Sequence, residues 1–217
     1  FDFCEGYKNY LNISKTEREF IANAEKLAVS AGFTSLEELI KQNKRALPGT
    51  KVYYINKKKS AVFAVIGKRP LEDGTTIIGA HIDSPRIDLK PNPLYEDTEL
   101  ALLKTHYYGG IKKYQWLTVP MAIHGVLVKG DGTTVEIAVG EEEDDPVFTI
   151  TDLLPHLSQD QMQKKLNEAF TGEGLNLLVG SMPFNDEKVK EKVKLNILNI
   201  LNKRYGIVEE DFQSAEL

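Results

Sequence analysis

Cysteine is nearly absent from this sequence. Cys4 stands alone among 217 residues, so no internal disulfide framework can form, and a single thiol fits a reducing compartment such as the cytoplasm. Long apolar runs are missing too: none approaches the ~20 residues that a membrane helix needs. The first residues lack the basic-then-apolar layout of a secretory signal. There is no initiator Met before Phe1, so the natural N-terminus is expected to lie upstream. Lysine and arginine are scattered through a chain of net charge −5, and no basic stripe interleaved with aromatics marks a nucleic-acid partner. Internal repeats and low-complexity tracts are also missing. What is present is ordinary for a soluble globular chain: 41% hydrophobic and 27% charged residues, enough for one large domain or two small ones.

The first third reads as helices followed by strands. Ser14-Lys15-Thr16-Glu17 has the form of a capping box, in which a hydroxyl satisfies a free helix amide and a glutamate reaches back. Phe20, Ile21, Ala24, Leu27 and Ala28 then recur at helical spacing, with Gly32 at the expected stop. Thr34-Ser35-Leu36-Glu37 repeats the pattern, and Pro48-Gly49 closes the section. Val52 to Ile55 and Ala61 to Ile66, joined by a polar turn, predict a hairpin. Thr75 to Ala80 is a short, nearly continuous apolar run, the pattern of a strand buried on both faces. Pro91-Asn92-Pro93 suggests a boundary, because paired prolines cannot continue a central strand. Beyond it, Leu100–Tyr108, 116–129, 133–139 and 147–150 predict a β-rich module with its own core. A helix from Ser158 through Phe170 follows, then a last helix capped by Asn185 and closed by Gly206.

Chemistry concentrates at the end of the 75–80 run. In a strand, residues two apart share a face, so His81 and Asp83 are expected to project together. Imidazole is a good metal ligand, and a carboxylate on its second nitrogen fixes its orientation and raises its basicity. Strand ends in α/β sheets are where ligands usually bind. His-x-Asp alone is a short motif, and a structural histidine is its plain alternative.

Three segments in order, Thr76 to Pro85, Tyr108-Gly109-Gly110-Ile111 and Trp116, resemble the aspartyl aminopeptidase and vacuolar aminopeptidase I family of zinc exopeptidases. The resemblance runs along most of the chain and implies an α/β fold: part of a di-zinc exopeptidase catalytic domain interrupted by an inserted β-rich dimerisation domain. It implies domains of 1–90 (start of the catalytic domain), 91–206 (the insert) and 207–217 (the return toward the catalytic domain). It also implies that His81 ligates one of two zinc ions and that Asp83 is the catalytic-site carboxylate orienting it. Mn or Co would suit the same ligand types. Family members place a histidine of the insert in a neighbouring subunit's active site. Ile150 to Leu157 aligns with that motif and makes His156 the candidate, a surface histidine beside a helix cap being the other reading. The implied substrates are peptides with N-terminal acidic residues, and the implied assembly is a dimer that builds to a tetrahedral dodecamer.

Other polar residues carry less. His106 and His124 fit strand positions, and Trp116 fits packing. Consecutive carboxylates at 141–145 repel and point apart, as in a solvated hairpin tip. A catalytic zinc needs three protein ligands, and only His81 and Asp83 are in view, so the remaining ligands and the general base are expected beyond residue 217. Two rivals stand beside this reading: a related co-catalytic zinc peptidase of different specificity, and a non-catalytic oligomerisation module.

Overall fold

Thr16, rather than Ser14, opens the first long helix of the computed structural model, which describes residues 1–217. Helix α1 (Asp2–Asn12) precedes it, and α2 spans Glu17–Ser30. Thr16 accepts from the Glu19 amide while the Glu19 carboxylate takes the Thr16 amide, so the capping box sits two residues later than Ser14-to-Glu17 spacing suggested. Strand β1 (Thr34–Ser35), helix α3 (Leu36–Lys41), and strands β2 (Lys51–Asn56) and β3 (Ser60–Val65) complete the regular structure of this part. The sheet order is β1-β2-β3, with β1 parallel to β2 and the β2–β3 pair forming the expected hairpin. Phe63 meets Phe33 edge-on at 6.0 Å, and the Tyr53 hydroxyl donates to Glu25 of α2 at 2.8 Å, tying sheet to helix.

The run 75–80 is not a strand. It has no regular structure, and Ile77 and Ile78 are 85% and 93% exposed. A β-strand exists only through its ladder, and β2 is already flanked by β1 and β3. No neighbouring strand pairs with 75–80, so its strand-forming side chains have nothing to bury against.

The chain clusters into two compact units, Phe1–Ser84 and Pro85–Leu217. The second is β-rich. Strands β4 (Arg86–Asp97), β5 (Leu100–Tyr108), β6 (Ile123–Val128), β7 (Thr134–Val139) and β8 (Thr149–Ile150) are followed by the short helices α4 (Gln159–Met162) and α5 (Leu166–Ala169). Strand β9 (Leu177–Gly180), helix α6 (Lys192–Tyr205) and strand β10 (Ala215–Glu216) follow. They form one sheet of order β4-β5-β9-β8 and another of order β10-β6-β7. Between them lies a core that includes Leu94, Ala101, Leu103, Leu127, Ile150 and Leu175. Burying each of these leucine and isoleucine side chains contributes roughly 1.5–3 kcal/mol.

Pro91 and Pro93 lie within β4 instead of ending it. Strand β4 is an edge strand, and its register with β5 shifts between Leu89 and Leu94, so the prolines occupy a bulge where ladder amides are not needed. The expected 158–170 helix is broken into α4 and α5, with Lys165 extended. Met162 and Leu166 are exposed, so no buried stripe holds the two turns together. Helix α6 begins seven residues after Asn185, and its N-terminus is capped from another element. The Glu96 carboxylate of β4 accepts from the Val193 and Lys194 amides at 2.8 and 2.9 Å. At the far end Gly206 takes the left-handed conformation expected of it, and the Lys129 ammonium donates to the Gly206 carbonyl at 2.7 Å. Residues 207–217 pack inside this unit: Ile207 and Phe212 are buried, β10 pairs with β6, and the Leu89 amide donates to Leu217 O at 2.9 Å.

Candidate metal-ligand segment

His81 and Asp83 come together through a turn-like bend rather than through the alternation of a strand. The imidazole Nδ1 lies 3.1 Å from Asp83 Oδ1 and 3.2 Å from the Asp83 carbonyl. Either oxygen accepts a proton from Nδ1. That sets the tautomer with its lone pair on Nε2, the nitrogen left to face a metal. His81 is 86% exposed as a side chain, so this nitrogen is open to solvent. The segment is flanked by chain without regular structure on its N-terminal side and by β4 on the other.

Beyond Asp83 the chain is firmly held. The Arg86 guanidinium lies over the Tyr108 ring at 4.4 Å, and its Nε donates to Asp88 at 2.7 Å. Gly109, at φ +74°, lets Pro85 pack at 3.5 Å from where a β-carbon would stand. These residues carry no motif. Their only sequence signal is alternation in β4 and β5, with Arg86 opposite Tyr108 and Asp88 opposite His106.

His156 belongs to the second unit. It sits in an exposed turn after β8, between Pro155 and Leu157, with no hydrogen bond of its own. His106 lies on β5 with Nε2 3.8 Å from Asp88, and His124 lies on β6 with Nε2 3.5 Å from Glu141. Both are the strand residues their context suggested. In the acidic run, Glu141 to Asp144 are exposed. Asp145 turns inward, accepts from the Gly140 amide at 2.8 Å and meets Arg204 of α6 at 3.2 Å. The Gly140 amide, and then Arg204, hold the Asp145 carboxyl below the usual carboxylate range.

No group of three or more His, Cys, Asp or Glu side chains is placed to hold a metal ion. His81, oriented by Asp83, fits one zinc ligand, but two groups fall short of the three that a catalytic zinc takes. A family model described as aminopeptidase I zinc metalloprotease (M18) matches residues 10–217. The chain belongs to the M18 family.

A probable M18 family aminopeptidase 1 of Clostridium acetobutylicum is 52% identical over 217 residues, covering 100% of this chain and 47% of the relative. Its Thermotoga maritima counterpart is 48% identical over 216 residues, covering 99% and 46%. The crystal structure of an M18 aminopeptidase from Thermotoga maritima superposes with a TM-score of 0.90 at 46% identity, over 99% of this chain and 46% of that one. A Saccharomyces cerevisiae mApe1 dodecamer structure shares the fold, with a TM-score of 0.62 at 18% identity over 97% and 46% of the two chains. The chain thus spans about half the length of the curated M18 relatives it matches. The α/β fold and zinc as the family's metal follow from this membership.

Proposed function

We propose that the protein acts as a zinc aminopeptidase, releasing N-terminal residues, acidic ones preferred, from peptides. His81 is one ligand of a two-ion site, and Asp83 is the carboxylate that orients it. The observation that carries this reading is the 3.1 Å contact between His81 Nδ1 and Asp83, which leaves Nε2 outward as a ligand nitrogen. Zinc at such a site polarises a scissile carbonyl and lowers the pKa of a bound water. The further ligands and the general base are assigned to the portion of M18 length that this chain does not span. Residues 1–90 are then assigned to the catalytic domain, 91–206 to the dimerisation insert and 207–217 to the return toward the catalytic domain, although 85–90 and 207–217 pack within the second compact unit of this chain. Mn or Co would be tolerated in place of zinc. The placement is cytoplasmic, in keeping with the lone thiol and the lack of any helix long and apolar enough to cross a membrane.

His156 is assigned to a neighbouring subunit's active site, where it donates a hydrogen bond to the tetrahedral oxyanion. The loop that bears it supports this. Ser158 is its one buried polar residue, and Asp152, itself exposed, is hydrogen-bonded to the Leu153 amide and to Gln161. Its apolar residues point outward, with Leu153, Leu154 and Leu157 all exposed and Leu157 at 70%. Three exposed leucines so close together fit a surface covered by a second copy. A dimer building to a tetrahedral dodecamer is the assembly this implies, in line with the dodecamer described for mApe1.

Subunit mixing tests the trans role in the polypeptide that carries the full M18 length. Subunits with His81→Ala and subunits with His156→Ala should each be inactive alone, and their mixture should regain a measurable fraction of activity. A mixture as inactive as its parts removes the trans role. If the 217-residue chain alone forms oligomers and its full-length parent never binds zinc, the assembly-module reading replaces the enzymatic one.

A further inference from the structure

Thr118 stands where the chain doubles back beside the strand from which the His156 loop departs. Strand β8 is the last of its sheet and ends at Ile150, a core residue only 1% exposed. On the side away from β9 it is flanked by the segment 117–121. Leu117 bridges Ile150 in the parallel sense and Met121 bridges Phe148 in the antiparallel sense, so the chain reverses direction between them. The Thr118 amide donates to the Ile150 carbonyl at 2.8 Å, and the Met121 amide donates to the Phe148 carbonyl at 2.9 Å. After Ile150 the chain leaves the sheet as the exposed stretch that carries His156.

The reversal gives Thr118 a φ of +57°. Glycine or asparagine enters this left-handed region readily, and a β-branched residue does not. Lys57, Lys58, Thr98 and Glu99 share a positive φ, but they stand at hairpin tips, and Asn43 is of a tolerant type. Thr118 closes no hairpin, and as an exposed residue it buries little that would offset the strain. The backbone bonds on either side hold it there. Strain held in this way over-determines a local geometry, and it persists where that geometry is used. Glycine would relieve the strain but let the turn wander over a wide range of φ. A β-branched side chain, stiff at χ1, leaves the bend one narrow conformation.

We propose that Thr118 is a positioning residue for His156. Its strained turn fixes Ile150, the root of the loop, and so presents His156 to the neighbouring subunit in one arrangement. The inference rests on the trans role given to His156 above. Thr118 acts through that histidine by pre-organisation, since the fold rather than each turnover settles where the loop begins. Relaxing the turn then lowers activity without lowering stability, whereas loss of a structural contact lowers both.

The test places Thr118→Gly in the polypeptide of full M18 length and combines urea unfolding, steady-state kinetics and subunit mixing. The urea midpoint should hold or rise, while kcat falls at least about fivefold with KM changed less than about twofold. Activity per Thr118→Gly subunit should climb back toward the unaltered value when His81→Ala subunits are added in excess, because these supply an intact His156 loop. Adding His156→Ala subunits instead should restore nothing. A lowered midpoint makes Thr118 a structural residue and overturns the inference, as does an unchanged kcat. So does a kcat loss that His81→Ala subunits leave unrepaired while the mixture of His156→Ala with His81→Ala regains activity, since the defect then lies in the subunit's own site. If that control mixture stays inactive, the trans role of His156 falls first and takes this inference with it. Should Thr118→Gly fail to fold, Thr118→Asn, which also tolerates a positive φ, decides by the same comparisons.

Discussion

At the scale of single residues, the sharpest constraint is steric. Gly125 of β6 has φ +152°, and a β-carbon there would stand 1.9 Å from the Glu216 carbonyl oxygen and 3.0 Å from Leu217 Cα. The backbone of β10 occupies that space and cannot yield as a flexible side chain would. Gly125→Ala should therefore displace β10 and cost about 2–4 kcal/mol in urea unfolding. A loss below ~0.5 kcal/mol would show that residues 215–217 are not seated against β6. His81 shows the opposite limit. As an exposed residue it carries almost no packing, so substituting it should leave folding intact and report on chemistry alone.

At the scale of elements, helix α6 owes its placement to residues far away in sequence. Glu96 caps its first turn and Lys129 its last carbonyls, while Gly180 of β9 admits Ile197, whose Cδ1 lies 2.6 Å from where a β-carbon would stand. Replacing Glu96 by Ala removes the acceptor of two helix amides and should cost about 1 kcal/mol, measured as a shift in the urea midpoint at constant slope. No shift at all would mean that the cap contributes nothing.

These contacts also mark where sequence reading stops. The β2–β3 hairpin, β5, β7 and the end of α6 were legible because turn residues, alternation and Gly206 are local signals. Strand β4 was obscured by two prolines that an edge bulge absorbs. Residues 75–80 read as a buried strand because apolar content encodes a preference, whereas a ladder needs a partner. The 158–170 helix failed because helical spacing does not guarantee a surface to cover the stripe. At the site, the closeness of His81 and Asp83 was legible from their spacing, although a bend and not a strand produces it. The clamp on Arg86 and the inward turn of Asp145 arise from cross-strand and long-range contacts that no motif records.

At the scale of the whole molecule, acid sensitivity gathers in the second unit. The Asp145 carboxyl is lowered mainly by the Gly140 amide, Asp131 mainly by the Thr133 amide, and Glu173 by the Lys90 ammonium. Each carboxyl releases its proton more readily folded than unfolded. The stabilisation is therefore complete above the ordinary carboxylate pKa of about 4, and it is lost as pH falls through the lowered folded values. Unfolding followed between pH ~6 and ~3 should show stability dropping at the acid end, with a shallower drop for Asp145→Asn. An unchanged slope in that variant would contradict the role given to the Gly140 and Arg204 contacts.

The same scale raises the question of what M18 membership means for a chain covering about half of its relatives' length. The central claim is that His81, aimed by Asp83, is a zinc ligand. Zinc stoichiometry measured on the polypeptide of full M18 length, unaltered and with His81→Ala, tests it most directly. Two ions per subunit should fall to one or none with His81→Ala, while circular dichroism stays unchanged. Full retention of two zinc ions by a folded His81→Ala protein would contradict the assignment.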